Sequence, residues 1–565
     1  MANKKAVLTK PTPDATIARN AFDRESMRCY HYALGQLVAP WWEVLTAGSH
    51  CKLNRKIFQR TCDLNTAAFP IMDTHIQYYF VPFRQMWSLW DDFKLGIRDV
   101  HSTSLVNPLD TSSGSQYYNL PSRAPYTTLT DIYATLAIMS QNGLIDIFGN
   151  ELEPQAEKLL NMLGYGLPSP MASYVADVNL WPLLAYHKIY YDHFRNTQYE
   201  PQKPALFNMD YLWSQNRSML LPSSELYGQD GLLAPHYVNY RNDYFTNIYP
   251  SLNYLGTTSL YNSNRNSIGV PASVQNTING LSNTYGNFGV FSNNNGVLVG
   301  NQTSGQTNKL LTLQTLRSAF ALDKLQRSSA YAGQHAKEQY EARFGIKFKD
   351  SPNHSIFIGA FKNDIQIGEV TSTADTGSSG LPLGAIGGKG VGFDDWGKTL
   401  EFTAEEDGIV MAIQYTTIRS CYRSAGIDSY LIKHLPEDYF QPEFQNLGLE
   451  PVYGLELNQS LGTSTLLGFR PRNQRYKLGV DKSYGLFADI GSDLSMFINH
   501  TDVARIPTVG QQGVSYSWFK VAPNDLDQVA RVAFDGTMQT DHFFGQTIFG
   551  CTVNQNMTVH GQPSL

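Results

Sequence analysis

The sequence predicts a mainly β fold, one antiparallel sandwich with long loop and helical insertions. Three observations point to it. Strand patterns open and close the chain, long stretches without periodicity separate them, and the composition supplies aromatic and β-branched residues at the expense of charge. A length of 565 residues would on its own suggest several domains. A sandwich, however, pairs strands that are far apart in sequence, so its intervening segments can be insertions on one scaffold. One elaborated domain over 1–565 is therefore expected.

Residues 1–25 are polar, contain Pro11 and Pro13 and lack periodicity, which predicts an N-terminal arm. His50 to Arg60 (HCKLNRKIFQR) partly alternates. Asp73 to Val81 (DTHIQYYFV) is rich in aromatic and β-branched residues, and the two read as neighbouring strands of one sheet. From 83 to 250 the chain is loop-rich with helical patches such as Glu153 to Leu163. Asn247 to Asn308 is dominated by Asn, Gly, Ser and Thr, with one aliphatic-rich patch at Val297 to Val299. Such a stretch cannot build a core and is expected as a surface-exposed insertion loop.

Leu310 to Phe344 has helical spacing, with Leu313, Leu316 and Phe320 on one face and Gly345 beyond its end. Residues 371–392 are glycine-rich and predict a second long loop. Gly408 to Ile418 places Ile409, Met411, Ile413 and Tyr415 on one face and the smaller Val410, Ala412 and Thr416 on the other, the pattern of a half-buried strand. Thr547 to His560 repeats it with Phe549, Cys551 and Val553, then Met557 and Val559.

Composition narrows the function. Charged residues are 16% of the chain and aromatics 12%, with 33 Tyr. Buried centres of interfaces lose charge and gain Tyr, Trp and Phe, so much of this surface is expected to be interface. The formal net charge of −6 leaves no global cation excess to condense nucleic acid. Five scattered cysteines predict reduced thiols in a cytosolic assembly site. Behind the lysines of the N-terminus no apolar segment follows, and nowhere do eighteen apolar residues run together, which disfavours secretion and a membrane partner.

Chemistry-bearing motifs are weak. There is no Gly-x-Ser-x-Gly, and LGAIGGKG at Leu383 to Gly390 departs from a phosphate loop at its first glycine and after Lys389. Cys29, His31, His50, Cys51, Cys62 and His75 lack paired zinc spacing and read as packed side chains. The acid pairs Asp91/Asp92, Asp394/Asp395, Glu405/Glu406 and Glu437/Asp438 have no calcium-loop context. No catalytic, cofactor or metal residues are assigned, and an enzyme is not expected. Arg470, Arg472 and Arg475, with Lys477, alternate with aromatics in LLGFRPRNQRYKLG, the ingredients of phosphate contact and base stacking, against the plainer reading of intersubunit salt bridges. Lys4, Lys5 and Lys10 on the arm are the other candidate nucleic-acid contacts, because an unstructured cationic arm can track flexible DNA.

Several blocks, in order along most of the chain, carry a family resemblance: THIQYYFVPFRQMWSLWDDF at Thr74 to Phe93, WPLLAYHKIYYDHFRNTQYE at Trp181 to Glu200, RNDYFTNIYP at Arg241 to Pro250, LQTLRSAFALDKLQ at Leu313 to Gln326, then DDWGKTLEFTAEEDGIVMAI and LEPVYGLEL. They resemble the major capsid proteins of the Microviridae, in particular the gokushovirus-like branch. The resemblance implies an eight-stranded antiparallel jelly roll in a T=1 icosahedral shell around circular single-stranded DNA, with 247–308 as an external protrusion touching a host surface receptor. It also implies as partners other copies of the chain, a small basic DNA-binding protein, and minor pilot and internal scaffolding proteins. The rival from another class is a carbohydrate- or receptor-binding β-sandwich acting as a monomer or small oligomer; a glycoside hydrolase would need two converging carboxylates.

Overall fold

The computed structural model describes chiefly residues 19–64, 71–95, 126–166, 177–212, 228–251, 353–371, 386–489, 513–527 and 541–557, with shorter stretches within 290–346. Ten strands build the scaffold: β1 (Arg19–Asp23), β2 (Ser26–Tyr32), β3 (Val38–Leu45), β4 (His50–Thr61), β5 (Met72–Pro82), β6 (Ile356–Thr371), β7 (Ile386–Asp394), β8 (Leu400–Thr403), β9 (Gly408–Ile418) and β10 (Phe543–Asn556). All their pairings are antiparallel.

The long strand β6 divides the sheet in two. Its first part, from Ile356 to Ile365, pairs with β5, and its last part, from Gln366 to Thr371, pairs with β7. One sheet therefore runs β2-β10-β4-β7 and the other β3-β9-β5-β6, with β1 beside β10 and β8 beside β4. Setting aside the two short strands β1 and β8, the eight long strands lie in the orders 1-8-3-6 and 2-7-4-5. That is the jelly-roll connection of two Greek keys. His50–Thr61 and Met72–Pro82 are strands as expected, yet they are not neighbours: β7 and β6 stand between them. Alternation locates a strand and its buried face, but does not name its partner.

Trp41, Leu53, Ile57, Tyr78, Phe80, Val410, Phe549 and Val553 fill the space between the sheets. Toward one end that space turns polar. The Tyr32 hydroxyl lies 2.7 Å from Thr416 Oγ1, accepts from Gln59 Nε2 at 2.7 Å and from Gln414 Nε2 at 3.0 Å, while Thr74 and Thr416 hydroxyls meet at 2.8 Å. Tyr32 and Gln59 thus find partners on the facing sheet, while Gln59 Oε1 has no hydrogen-bond partner.

The outer face of the second sheet is covered by helices from the long insertion between β5 and β6. These are α1 (Leu129–Gln141), capped by the Thr128 side chain accepting from Asp131 N–H; α2 (Leu152–Leu163), ended by Gly164 at φ 94°; and α3 (Trp181–Ile189), with Pro182 in its first turn. Ile409, Met411, Ile413 and Tyr415 of β9 point into this helical layer, whereas Val410 and Ala412 point between the sheets. The expectation of a half-buried β9 is therefore corrected. The strand is buried on both faces because the insertion supplies a second core.

The N-terminal arm was expected over 1–25, but Arg19–Asp23 is already β1, paired with Thr552 to Asn556 of β10. Of the glycine-rich stretch 371–392, its last part is strand β7 rather than loop. Its glycines permit close packing: a Cβ on Gly390 would lie 2.6 Å from Thr61 Cγ2 and 2.8 Å from Ile365 Cγ2. In the 247–308 insertion the described part holds a hairpin, Val290–Asn293 with Gly296–Val299, which takes in the aliphatic patch. Residues 252–289, 294–295 and 300–308 lie outside the described residues, as do Leu313, Leu316 and Phe320. The helix Ala336–Phe344 (α4) closes at Gly345, φ 67°, as expected.

Candidate nucleic-acid interface

The basic stretch begins as a strand, Leu466–Pro471, paired antiparallel with Leu449–Tyr453. Pro471 has no N–H to continue the ladder, and Asn473 turns the chain at φ 61°, a left-handed conformation that Asn tolerates. The turn separates the arginines. Arg470 stays inside, its side chain 3% exposed, with Nη1 and Nη2 donating to both oxygens of Glu456 at 2.8 and 3.1 Å and Nε to Glu450 at 2.9 Å. Its guanidinium lies 4.3 Å from the centre of the Tyr244 ring, and Tyr244 donates to the same Glu456 at 2.9 Å. Burial opposes this charge, but Glu456, Tyr244 and Glu450 outweigh it and raise the guanidinium pKa. A phosphate reaching Arg470 would have to displace two carboxylates.

Arg475 is partly exposed and pairs with Asp428 at 3.1 Å, over the Tyr430 ring. Arg472 lies over Phe444, and Lys477 donates to the Arg472 carbonyl at 3.4 Å. The ion pairs of Arg470 and Arg475 seen here are made within the chain. Lys4, Lys5 and Lys10 lie outside the described residues.

The other candidates fall into structural roles. Lys389, of the failed phosphate-loop motif, pairs with Asp63 at 3.1 Å. Cys51 and Cys551 are buried, and burial pushes each thiol up to about 12. No group of three or more metal-ligating side chains assembles among the described residues. Asp394 binds the buried Arg55 at 2.8 Å, Asp395 pairs with Lys56 at 3.3 Å, Glu406 holds Arg84, and Asp438 accepts from the His434 and Leu435 amides. Asp91 and Asp92 sit in the first turn of the helix Trp90–Leu95, where acids favour a helix dipole.

A buried titratable network ties the helical layer to the C-terminal part of the chain. His187 Nε2 lies 2.6 Å from the Leu232 carbonyl and must donate to it, so its Nδ1, 2.8 Å from His236 Nε2, accepts. His236 stacks on Tyr190, whose hydroxyl donates to Glu200 at 2.6 Å and accepts from Lys520 Nζ at 2.6 Å. Burial depresses both histidines, His187 to about 4.

One surface escaped the sequence-based reading. The alternation in HCKLNRKIFQR buries Cys51, Leu53, Arg55, Ile57 and Gln59 and turns Lys52, Lys56, Phe58 and Arg60 outward. Counting at period two along that strand would have found this outward row.

Comparison with known proteins bears on the whole chain. Residues 11–132 and 163–565 match the profile of a family described as "Capsid protein (F protein)". The chain is also similar to "Capsid protein VP1" of Chlamydia phage 1, 23% identical over 581 aligned positions that cover 88% of this chain and 89% of that protein.

Proposed function

We propose, from the premise that this chain belongs to the phage capsid protein (F protein) family, that sixty copies close into a T=1 icosahedral shell around a circular single-stranded DNA genome. The chain is a structural capsid protein, resident in the virion. The observation that carries the finer reading is the jelly-roll strand order, 1-8-3-6 over 2-7-4-5, in a chain matched by the family almost end to end. A rigid sandwich with long insertions supplies several surfaces for homotypic contact, and closed symmetry makes assembly finite.

Within this reading 247–308 forms the external protrusion and contacts a host surface receptor, and the shell assembles in the host cytoplasm with pilot and scaffolding proteins. Its net charge of −6 per copy works against packaging, so cations come from a small basic DNA-binding protein and counterions, with local help from Lys4, Lys5 and Lys10 and from Arg472 and Arg475. Negative-stain microscopy of particles from infected cells tests the proposal. Isometric shells with this chain as the dominant protein are expected; a soluble monomer that binds sugar would favour the lectin-like rival.

A further inference from the structure

Charge is distributed unequally between the two sheets. The strands β2, β4, β7 and β10, with β1, β8 and the end of β6 beside them, carry seven cationic residues, Arg19, Arg28, Lys52, Arg55, Lys56, Arg60 and Lys389, of which Arg55 is buried, and four acids, Asp23, Glu369, Asp394 and Glu401. Strands β3, β5 and β9, with the first part of β6, carry one cation, Lys362, and three acids, Glu43, Asp73 and Asp364. In a chain of net charge −6 this segregation puts the cations on one sheet. The acidic sheet is the one covered by helices. Among the described residues no element covers the outer face of the basic sheet, where Phe58, Val391, Phe393 and Phe544 are exposed.

That open face also carries rings. Phe58 stands directly across from Phe393, and Phe544 from Arg60, in the strand register. The three phenylalanines are 44%, 57% and 38% exposed. Adjacent strands lie about 5 Å apart and same-face residues about 7 Å apart along a strand, so Phe393 and Phe544 flank Phe58 at backbone separations of roughly 5 and 8 Å. Lys56 lies 5.8 Å from the Phe393 ring centre, and Arg60 has no ion-pair partner among the described residues. Exposed ion pairs such as Lys52–Glu401 and Lys56–Asp395 hold their lysines only weakly.

We propose that this face binds single-stranded DNA, with bases lying on Phe58, Phe393 and Phe544 and phosphates meeting Lys56, Arg60 and Lys389. The assignment rests on the capsid reading and names where the shell touches its genome. Rings interleaved with cations on one face are the ingredients of sequence-tolerant single-strand binding. A second copy of the chain suits the face less well, because Gln546 and Arg60 interrupt the apolar surface and the sheet's cations outnumber its acids.

The test uses the full-length chain and a labelled oligothymidylate of about 20 nucleotides, longer than the usual single-fold site. Replacing Phe58, Phe393 and Phe544 together by Leu keeps the face apolar and removes stacking; binding should weaken about ten-fold or more. Lys56→Gln with Arg60→Gln should lower the salt dependence by about 1.4 log units of affinity per log unit of salt, the share of two phosphate contacts on single strands. Lys362→Gln, on the other sheet, should change neither. Circular dichroism and melting of each variant separate misfolding from lost contact, and photo-cross-linking of an iodouracil-substituted strand to the unaltered chain should label this face. Unchanged affinity in folded variants, cross-links elsewhere, or hydrogen-exchange protection of the face in DNA-free shells would overturn the assignment and leave the capsid reading standing. Failure to form particles would contradict the capsid reading instead, while oligonucleotide binding by the unassembled chain would still decide the face.

Discussion

His187 shows how burial alone sets a response to acid. Its imidazole is neutral in the fold because burial depresses its pKa to about 4, while an unfolded histidine titrates near 6.5. A neutral buried base contributes stability that is complete above the unfolded value. As pH falls from 6.5 toward 4 the unfolded chain takes up the proton first, so stability is lost through that window, by on the order of 3 kcal/mol for this residue. Chemical denaturation at intervals of pH should show the loss, and His187→Gln should flatten it; an unchanged slope in that variant would remove His187 from the account. Arg470 is a second residue-scale case. Truncation in Arg470→Ala strands the Glu456 carboxylate in a buried site, and a loss of roughly 3 to 5 kcal/mol is expected, partly restored when Glu456→Gln is added. Calorimetry on the single and double variants checks it.

Among the elements, β7 best separates what sequence shows from what it hides. Its glycines looked like loop because glycine disfavours strands in general, whereas here the missing side chains admit Thr61, Ile365 and Asn363 from neighbouring strands. Gly390→Val should therefore destabilise by about 1 to 3 kcal/mol through overpacking, measurable as a lower denaturation midpoint. The strands β4, β5, β9 and β10 were legible because one residue in two is apolar or aromatic along each. Their partners were not legible, since pairing depends on how insertions hundreds of residues long return the chain. The second core over β9 was hidden for a related reason: a strand buried on both faces by layers distant in sequence shows only its larger and smaller sides. Among the candidate contacts, the basic run 470–475 was legible as charge, but the internal role of Arg470 depends on Glu456 and Tyr244, which sequence does not place beside it. The outward row of β4 was legible in principle and needed only the period-two count.

At the scale of the whole molecule, the parts make a shell subunit: a jelly-roll scaffold, a helical layer covering its acidic sheet, a basic sheet that no other described element covers, and a chain poor in charge whose tyrosines are largely buried in its own cores. Exposed apolar side chains outside the sheets, such as Leu431, Tyr484 and Leu486, fit a chain whose surface is largely covered by its own copies. The central claim is that assembly closes at a fixed number. Mass measurement of intact DNA-free particles tests it most directly. Sixty copies of a 63.3 kDa chain give about 3.8 MDa of this protein, in a single narrow species independent of concentration. A stable monomer or small oligomer at all concentrations, or an open-ended ladder of masses, would contradict it.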